Sequence, residues 1–279
     1  MTERRSNLAP SFEQASRTFV LAQQIRYGYS SPVTELYQRL MTVPPAKHGA
    51  QRRRSWKLNV NGVEEPDTRT SIDTFSNVMV EAMIPHVAKS VEFVVEVEVE
   101  VEASIQPHHI AVDRRFLSPT PLTTADATIR DLAYGATAND IASLCATVND
   151  ALDYEWGVTG VGTTASEALA RKRGVCQDYA HIMLAACRHV GIPARYVSGH
   201  LPGEGASHAW VEVLHPLVGQ SEIMWTVQGW DPTHNRQVNS NYLVIAVGRD
   251  YSDVAPLSGT YNGKGVTSTL TVDKQLMHA

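Results

Sequence analysis

The feature that most limits the possible folds of this chain is the segment from Val91 to Ala103, which alternates between apolar residues and glutamate. Side chains of a β-strand point alternately to opposite faces, so this period of two predicts a strand with one buried face. The predicted buried face contains Val91, Phe93, Val95, Val97, Val99 and Val101. Because the glutamates of the other face repel one another, we expect the segment from Arg52 to Lys57 to supply their cross-strand partners.

The rest of the first hundred residues has strand patterns and no helical period. The clearest further strand segments, each ended by turn residues, are FVLAQQIRYGY, LYQRLMTVPP and RRRSWKLNVNG. We therefore predict a polar lead-in over residues 1–18 and a β-sandwich-like domain over residues 19–115. The prolines that indicate a linker at the end of this domain are Pro107, Pro119 and Pro121.

Residues 116–279 combine helical and strand patterns. One helical stripe contains Ile141, Leu144, Cys145, Val148 and Leu152. Cys145 is interpreted as a core residue because it lies in this stripe. The later strand segments are ARYVSG, HAWVEVL, EIMWTVQGW and YLVIAVG. Helices packed on an antiparallel sheet of these strands give an α+β arrangement.

The segment RGVCQDYAHIMLAACRHVGIP predicts a helix of about four turns that begins at Cys176 and stops at Gly191, with Pro193 beyond it. The dipole and free N–H groups of a helix N-terminus favour negative charge, so a thiol at this position loses its proton more easily. The alternative is that Cys176 is a small buried hydrophobic residue, as many free cysteines are. Gln177 and Asp178 are interpreted as helix-start and support residues.

His208 begins one predicted strand and Asp231 ends the next. If the two strands form a hairpin with these residues opposed, the fold-back falls between Gly219 and Gln220, in the turn-like stretch HPLVGQS. The imidazole and the carboxylate would then lie side by side at one end of the sheet. Together with Cys176 they form the set of groups used in thiol catalysis.

Composition and short sequence motifs exclude several classes of partner, location and cofactor. The net charge of −5 argues against nucleic acid as a partner, and the absence of an 18-residue apolar run or a signal peptide predicts a cytoplasmic protein without membrane contact. Three cysteines are too few for a disulfide framework. The chain has no CxxC or HExxH motif, and its glycine segments GVTGVG and GTYNGKG do not match nucleotide loops. We therefore expect no cofactor and no metal ion, and the oligomeric state is not predicted.

Four segments resemble the bacterial transglutaminase-like family, relatives of transglutaminases within the papain-like cysteine enzymes: GVCQDYAHIM, GIPARYVSGHL, SHAWVEV and GWDPTHN. RYGYSSPVTELYQRL is similar to the β-rich domain that precedes the core in this family. The resemblance implies a papain-like core in which a helix bearing the nucleophile packs on an antiparallel sheet. No calcium loop of EF-hand type is visible.

The same resemblance implies roles for individual residues. The family's nucleophile falls on Cys176, its histidine on His208 and its acid on Asp231. Tyr154 is a candidate side-chain donor to the oxyanion by analogy, with the backbone N–H of Cys176 as a second donor. Tyr179 stands where the motif often has phenylalanine, a difference that should not affect the chemistry.

These residues predict acyl transfer through a thioester, with a protein or peptide amide as acyl donor. Release of the acyl group by water gives a cysteine peptidase or amidase, and release by an amine gives a transglutaminase. The residues are the same for both reactions, and the resemblance to the bacterial members makes the peptidase or amidase the first expectation. A peptide-binding module of the same fold without turnover is a third alternative. The N-terminal domain is expected either to select the substrate or to shield the core.

Overall fold

The computed structural model describes residues 16–102, 108–217 and 224–278. In the first hundred residues the strands are β1 Arg17–Tyr29, β2 Val33–Leu40, β3 Lys47–His48, β4 Gln51–Asn61, β5 Asp67–Ile72, β6 Val78–Val87 and β7 Ser90–Val101. Later strands are β8 His109–Ala111, β9 Asp153–Tyr154, β10 Arg173–Gly174, β11 Ala194–His200, β12 His208–Pro216, β13 Met224–Asp231, β14 Arg236–Gln237, β15 Leu243–Gly248, β16 Leu257–Asn262 and β17 Ser268–His278.

Five α-helices accompany these strands within the described residues. They are α1 Ala127–Leu132, α2 Ile141–Asp150, α3 Ala165–Arg171, α4 Cys176–His189 and α5 Tyr251–Val254. Two short 3₁₀ helices are Arg114–Leu117 and Pro121–Thr123. Of the prolines predicted to form a linker, Pro121 begins the second 3₁₀ helix and Pro119 lies just before it. Three predicted features lie outside the described residues: Pro107, most of the lead-in, and the fold-back at Gly219 and Gln220.

The N-terminal part forms two antiparallel sheets with strand orders β17-β1-β7-β4-β3 and β16-β2-β6-β5. The alternating strand predicted from sequence is confirmed as β7, in which the phenylalanine and the five valines of the predicted face are buried. Its glutamates pair with β4, where Arg52 lies 3.1 Å from Glu102 and Lys57 lies 2.9 Å from Glu96. The predicted source of the cross-strand cations is therefore confirmed.

The end of the chain returns to the N-terminal sheets. β17 pairs with β1 from His278 opposite Phe19 to Ser268 opposite Tyr29, and β16 pairs with β2. The predicted unit of residues 116–279 includes these last strands, whereas the structure pairs them with strands of the N-terminal part. The reason is physical, because alternation along a strand predicts a buried face but does not identify the strand that pairs with it. The division between residues 115 and 116 stays a prediction.

The second part is built on a sheet of strand order β14-β13-β12-β11-β15, with β8 paired to β13. α4 packs against β11 and β12, and every residue of α4 from Cys176 to Arg188 is buried. Gly191 ends the helix with a φ of +77°, a left-handed conformation that glycine adopts without strain. The predicted α+β core, in which a buried helix lies on an antiparallel sheet, is confirmed.

Two side-chain amides join the N-terminal part to the edge strand β15 of the core sheet. Gln51 donates to Val244 O (2.8 Å) and accepts from Val244 N–H (2.9 Å). Asn77 makes the same pair of bonds with Val247, at 2.7 and 2.8 Å. These amides satisfy backbone groups that an edge strand otherwise leaves unpaired, so the N-terminal part closes this edge. Within the described ranges, no helix combines the length and apolar character needed to cross a membrane.

Candidate active site

The start of α4 is fixed by a carboxylate that caps its first turn. Asp178 accepts hydrogen bonds from the Val175 N–H (2.8 Å) and from the Thr159 hydroxyl (2.7 Å). A Cβ on Gly174 would lie 2.6 Å from Asp178 Oδ2, so only glycine leaves room for this cap. The Gly-Val-Cys turn therefore places Cys176 at the first residue of the helix, as the sequence predicted, with 9% of the residue exposed.

The predicted imidazole and carboxylate meet at the end of the β12–β13 hairpin. His208 Nε2 lies 2.8 Å from Asp231 Oδ2, and both side chains are buried. The register differs from the predicted one by two residues, because Val211 pairs with Trp230, which places Trp210 opposite Asp231. A shift of two residues keeps the same face of a strand, so His208 still reaches Asp231 as a diagonal neighbour.

Asp231 is held by four donors besides His208. The Tyr242 hydroxyl donates to Oδ2 (2.7 Å), His234 Nδ1 lies 2.7 Å from the same oxygen, and the N–H groups of Thr233 and His234 donate to Oδ1 at 3.0 and 3.2 Å. Burial alone would raise the pKa of Asp231, but the hydrogen bonds from His208, Tyr242 and His234 outweigh it and hold that pKa well below its ordinary value. The carboxylate is therefore ionised and fixed in direction.

His208 joins this carboxylate to Cys176. Burial lowers the pKa of His208, but its hydrogen bonds with Asp231, Cys176 and Glu204 outweigh burial and raise the pKa from 6.5 to about 11. The imidazole is thus protonated at neutral pH, with one ring nitrogen on Asp231 and the Cys176 side chain also within its hydrogen-bonding reach. The structure brings the three residues predicted from sequence into one site.

Three residues of the site, Glu204, His234 and Tyr242, were not assigned a role from the sequence. Glu204 Oε2 lies 3.1 Å from His208 Nδ1, and Glu204 Oε1 lies 3.4 Å from His234 Nε2. Since His234 also contacts Asp231, two carboxylates and two imidazoles alternate around a closed ring. His234 follows Asp231 by three residues in the GWDPTHN segment, which was a usable signal. Glu204 lies in a loop without any pattern that could have identified it.

Tyr154, the predicted oxyanion candidate, lies on the short strand β9, which pairs with β10 just before the nucleophile helix. Burial, together with the negative charges of Cys176 and Glu204, raises the pKa of Tyr154 to about 12, so its hydroxyl keeps its proton. Tyr154 is 47% exposed and lines an open cleft of about 430 Å³. The other residues of the cleft are Trp156, Glu204, Gly205, Ala206, Ser207, His208, Thr233 and His234.

The other two cysteines are buried in the core, where the Cys145 thiol donates a hydrogen bond to the backbone carbonyl of Asp231 (3.5 Å). Burial raises the pKa of both Cys145 and Cys187 to about 12, and both residues are fully buried. His181 of α4 is likewise fully buried and accepts a hydrogen bond from Tyr251 N–H. Side-chain donors that could hold a metal ion at the active site belong to Glu204, His208 and His234, which lie within 4.8 Å of one another.

The chain matches known proteins in both of its parts. Residues 20–102 match the bacterial transglutaminase-like N-terminal region, and residues 128–230 match the transglutaminase-like superfamily. A protein of Cytophaga hutchinsonii described as a candidate cysteine protease has a similar crystal structure, with a TM-score of 0.72 at 21% identity over 95% of this chain and 91% of that one. At this identity, the likeness shows a shared fold, which includes the β-rich N-terminal region.

Two mycobacterial proteins are similar in sequence. An uncharacterized protein of Mycobacterium leprae is 44% identical over 128 residues, and one of Mycobacterium tuberculosis is 37% identical over 130 residues. The aligned segments cover 42% and 43% of this chain, and 42% and 40% of those proteins. This chain therefore matches about two fifths of the length of these relatives.

Proposed function

Because the chain belongs to the transglutaminase-like superfamily, we propose that it is a thiol enzyme that transfers the acyl group of a peptide or carboxamide through a thioester on Cys176. The observation that carries this proposal is that His208, which lines the cleft, contacts Asp231 and lies within hydrogen-bonding reach of Cys176. Superfamily membership supports the general kind of enzyme, and the geometry supports the residues and their roles.

In the first step the Cys176 thiolate attacks the amide carbon, a C–S bond forms and the carbonyl electrons move to oxygen. An imidazolium beside a cysteine favours the thiolate form, which is the nucleophile. The backbone N–H of Cys176 has no partner within the helix and is free to donate to the oxyanion, with the Tyr154 hydroxyl as the side-chain candidate. His208 then passes its proton to the leaving amine, the C–N bond breaks and the thioester remains.

The second step reverses these roles. Neutral His208 takes a proton from water or from a primary amine, which attacks the thioester and releases Cys176. Asp231 holds the imidazole in position and stabilises its cation throughout, and it is itself held by Tyr242 and His234. The same groups serve hydrolysis and amine transfer, so the triad does not distinguish the two reactions.

We assign water as the preferred acceptor, so that the protein acts as a cysteine peptidase or amidase. Trp156 is 67% exposed beside Tyr154 in the cleft and offers an apolar contact for a peptide acyl donor. The expected substrate is a protein or peptide, and the cytoplasmic location and the absence of a nucleic-acid partner stay predictions.

A panel of glutamine-containing peptides and peptide amides, incubated with and without a primary amine, tests this assignment. We expect free acid and released amine to appear at equal rates, and the Cys176→Ala variant to form neither product. Amine incorporation that exceeds free acid would replace the peptidase assignment by a transglutaminase.

A peptide-binding module without turnover predicts a different result. An electrophilic amide mimic followed by mass spectrometry should give one adduct on Cys176, and His208→Ala should slow its formation by about 100-fold or more. Equal rates in the native protein and in His208→Ala would favour the binding module, because the thiol would then be unactivated.

A further inference from the structure

A second group of metal-ligating side chains lies between the N-terminal sheets and the core sheet, in a groove that shares no lining residue with the catalytic cleft. From its geometry, we propose that His48, His108 and Glu212 bind a divalent transition metal ion of the zinc class. One ligand atom from each of the three side chains lies within 4.8 Å of the other two.

The three residues come from separate parts of the fold. His48 lies on β3 of the N-terminal part, His108 directly precedes β8, and Glu212 lies on β12 of the core sheet. The His48 and His108 rings contact edge to face with centroids 4.7 Å apart. Gly49 makes this approach possible, because its φ is +55° and a Cβ there would lie 3.3 Å from His108 Nδ1.

Glu212 is oriented for a ligand on one of its two oxygens. Arg195 donates from Nε to Glu212 Oε2 (2.6 Å), while Oε1 faces His48 Nε2 at 2.7 Å. Glu212 and Arg195 are each 5% exposed, so their pairing is held within the protein. A partner that fixes a ligand from behind is a usual part of metal sites. The positive charge of Arg195 makes the attraction of Glu212 for a cation weaker than that of an unpaired carboxylate.

The donor set indicates the class of ion. Two imidazole nitrogens and one carboxylate oxygen match zinc and similar transition metals, whereas magnesium and calcium prefer oxygen ligands alone. The groove has a volume of about 640 Å³ and is also lined by His215, Thr226 and Gln228. This space leaves positions for water to complete the coordination. A metal ion bound here would tie β3 to β12 and so strengthen the contact between the two parts.

Titration of the chelator-treated Cys176→Ala protein with cobalt chloride, followed by zinc chloride, tests the site through the visible absorption of bound cobalt. We expect binding of one cobalt ion that zinc displaces, and a loss of affinity of more than about 10-fold in His48→Gln and in His108→Gln. His215→Gln is the matched control, since His215 lines the same groove but contacts Gln228 (3.1 Å) and is not one of the three ligands. It should keep the affinity.

His234→Gln separates this site from the cluster of Glu204, His208 and His234 in the catalytic cleft. Cobalt affinity that is unchanged in His48→Gln and His108→Gln, or that is lost in His234→Gln, would overturn the proposal. In the native protein, zinc should protect His48 and His108 from acylation by diethyl pyrocarbonate, as mapped by mass spectrometry. If His48 and His108 were still acylated at saturating zinc, the proposal would be overturned. This measurement needs no variant.

Discussion

Cys176 and Cys187 lie on the same helix about three turns apart, yet their surroundings differ completely. Cys176 is the first residue of α4, is 9% exposed and lies within hydrogen-bonding reach of His208. Cys187 is fully buried, and burial raises its pKa to about 12. The comparison shows that position within the helix, rather than residue type, decides which thiol is available for chemistry.

Two buried carboxylates of the site, Asp178 and Asp231, also differ because of their surroundings. Burial raises the pKa of Asp178, although its hydrogen bonds with Thr159 and Val175 oppose the shift. Asp231 is also buried, but a protonated histidine and two further side-chain donors lower its pKa. The charge and number of the hydrogen-bonding partners, and not burial alone, therefore determine the direction of the pKa shift.

The largest expected effect comes from exchanging the two thiols for alanine. Cys176→Ala should lower amide turnover by about 10⁴-fold or more, because the other two thiols, Cys145 and Cys187, are fully buried and cannot form the thioester. Cys187→Ala should leave turnover unchanged. Product release from the peptide-amide panel measures both. If Cys176→Ala kept a tenth of native turnover, Cys176 would not be the nucleophile.

The second-largest expected effect is that of replacing Asp231 by asparagine, compared with the same replacement of Asp178. His208 must carry a proton to give to the leaving amine, so turnover falls as pH rises through the raised pKa of His208. Asp231→Asn removes the main group that raises this pKa, so the fall should move to lower pH, and turnover should drop by about 10³-fold or more.

Asp178→Asn is the matched control for this variant, because Asp178 contacts Val175 and Thr159 rather than His208. It should keep the native pH limit. An unchanged alkaline limit in Asp231→Asn, measured as turnover against pH, would contradict the assigned role of Asp231.

Glu204→Gln should give a smaller change of the same sign. The carboxylate lies 3.1 Å from His208 Nδ1, but its side chain is 31% exposed, so solvent screens part of its charge. We expect turnover to change by less than about 10-fold and the alkaline limit to move to lower pH by less than in Asp231→Asn. An effect as large as that of Asp231→Asn would make Glu204 an equal partner of the triad.

The smallest expected effect is on stability. Cys187→Ala leaves a small cavity in a fully buried position and should lower the free energy of unfolding by about 1 kcal/mol. Chemical denaturation measures this change, and the labelling rate of Cys176 should stay the same. A slower labelling rate would mean that packing at the far end of α4 controls the thiol.

Much of the site could be predicted because its parts are local. The stripe from Ile141 to Leu152 placed Cys145 in the core, and the start of α4 was correct to the residue. The hairpin register was wrong by two residues, but side chains alternate with a period of two, so His208 and Asp231 still shared a face. The predicted contact between His208 and Asp231 therefore required only that both side chains lie on the same face of the sheet.

The sequence by its local patterns specified the α4 helix, the alternating strand β7 and the predicted contact of His208 with Asp231, because periodicity and turn residues act over short distances along the chain. Three features became known from the three-dimensional fold alone: β16 and β17 return to the N-terminal sheets, Gln51 and Asn77 close the edge of β15, and Glu204 contacts His208. These contacts join residues far apart in sequence, and no local pattern specifies which distant partner satisfies an exposed edge or a free side chain.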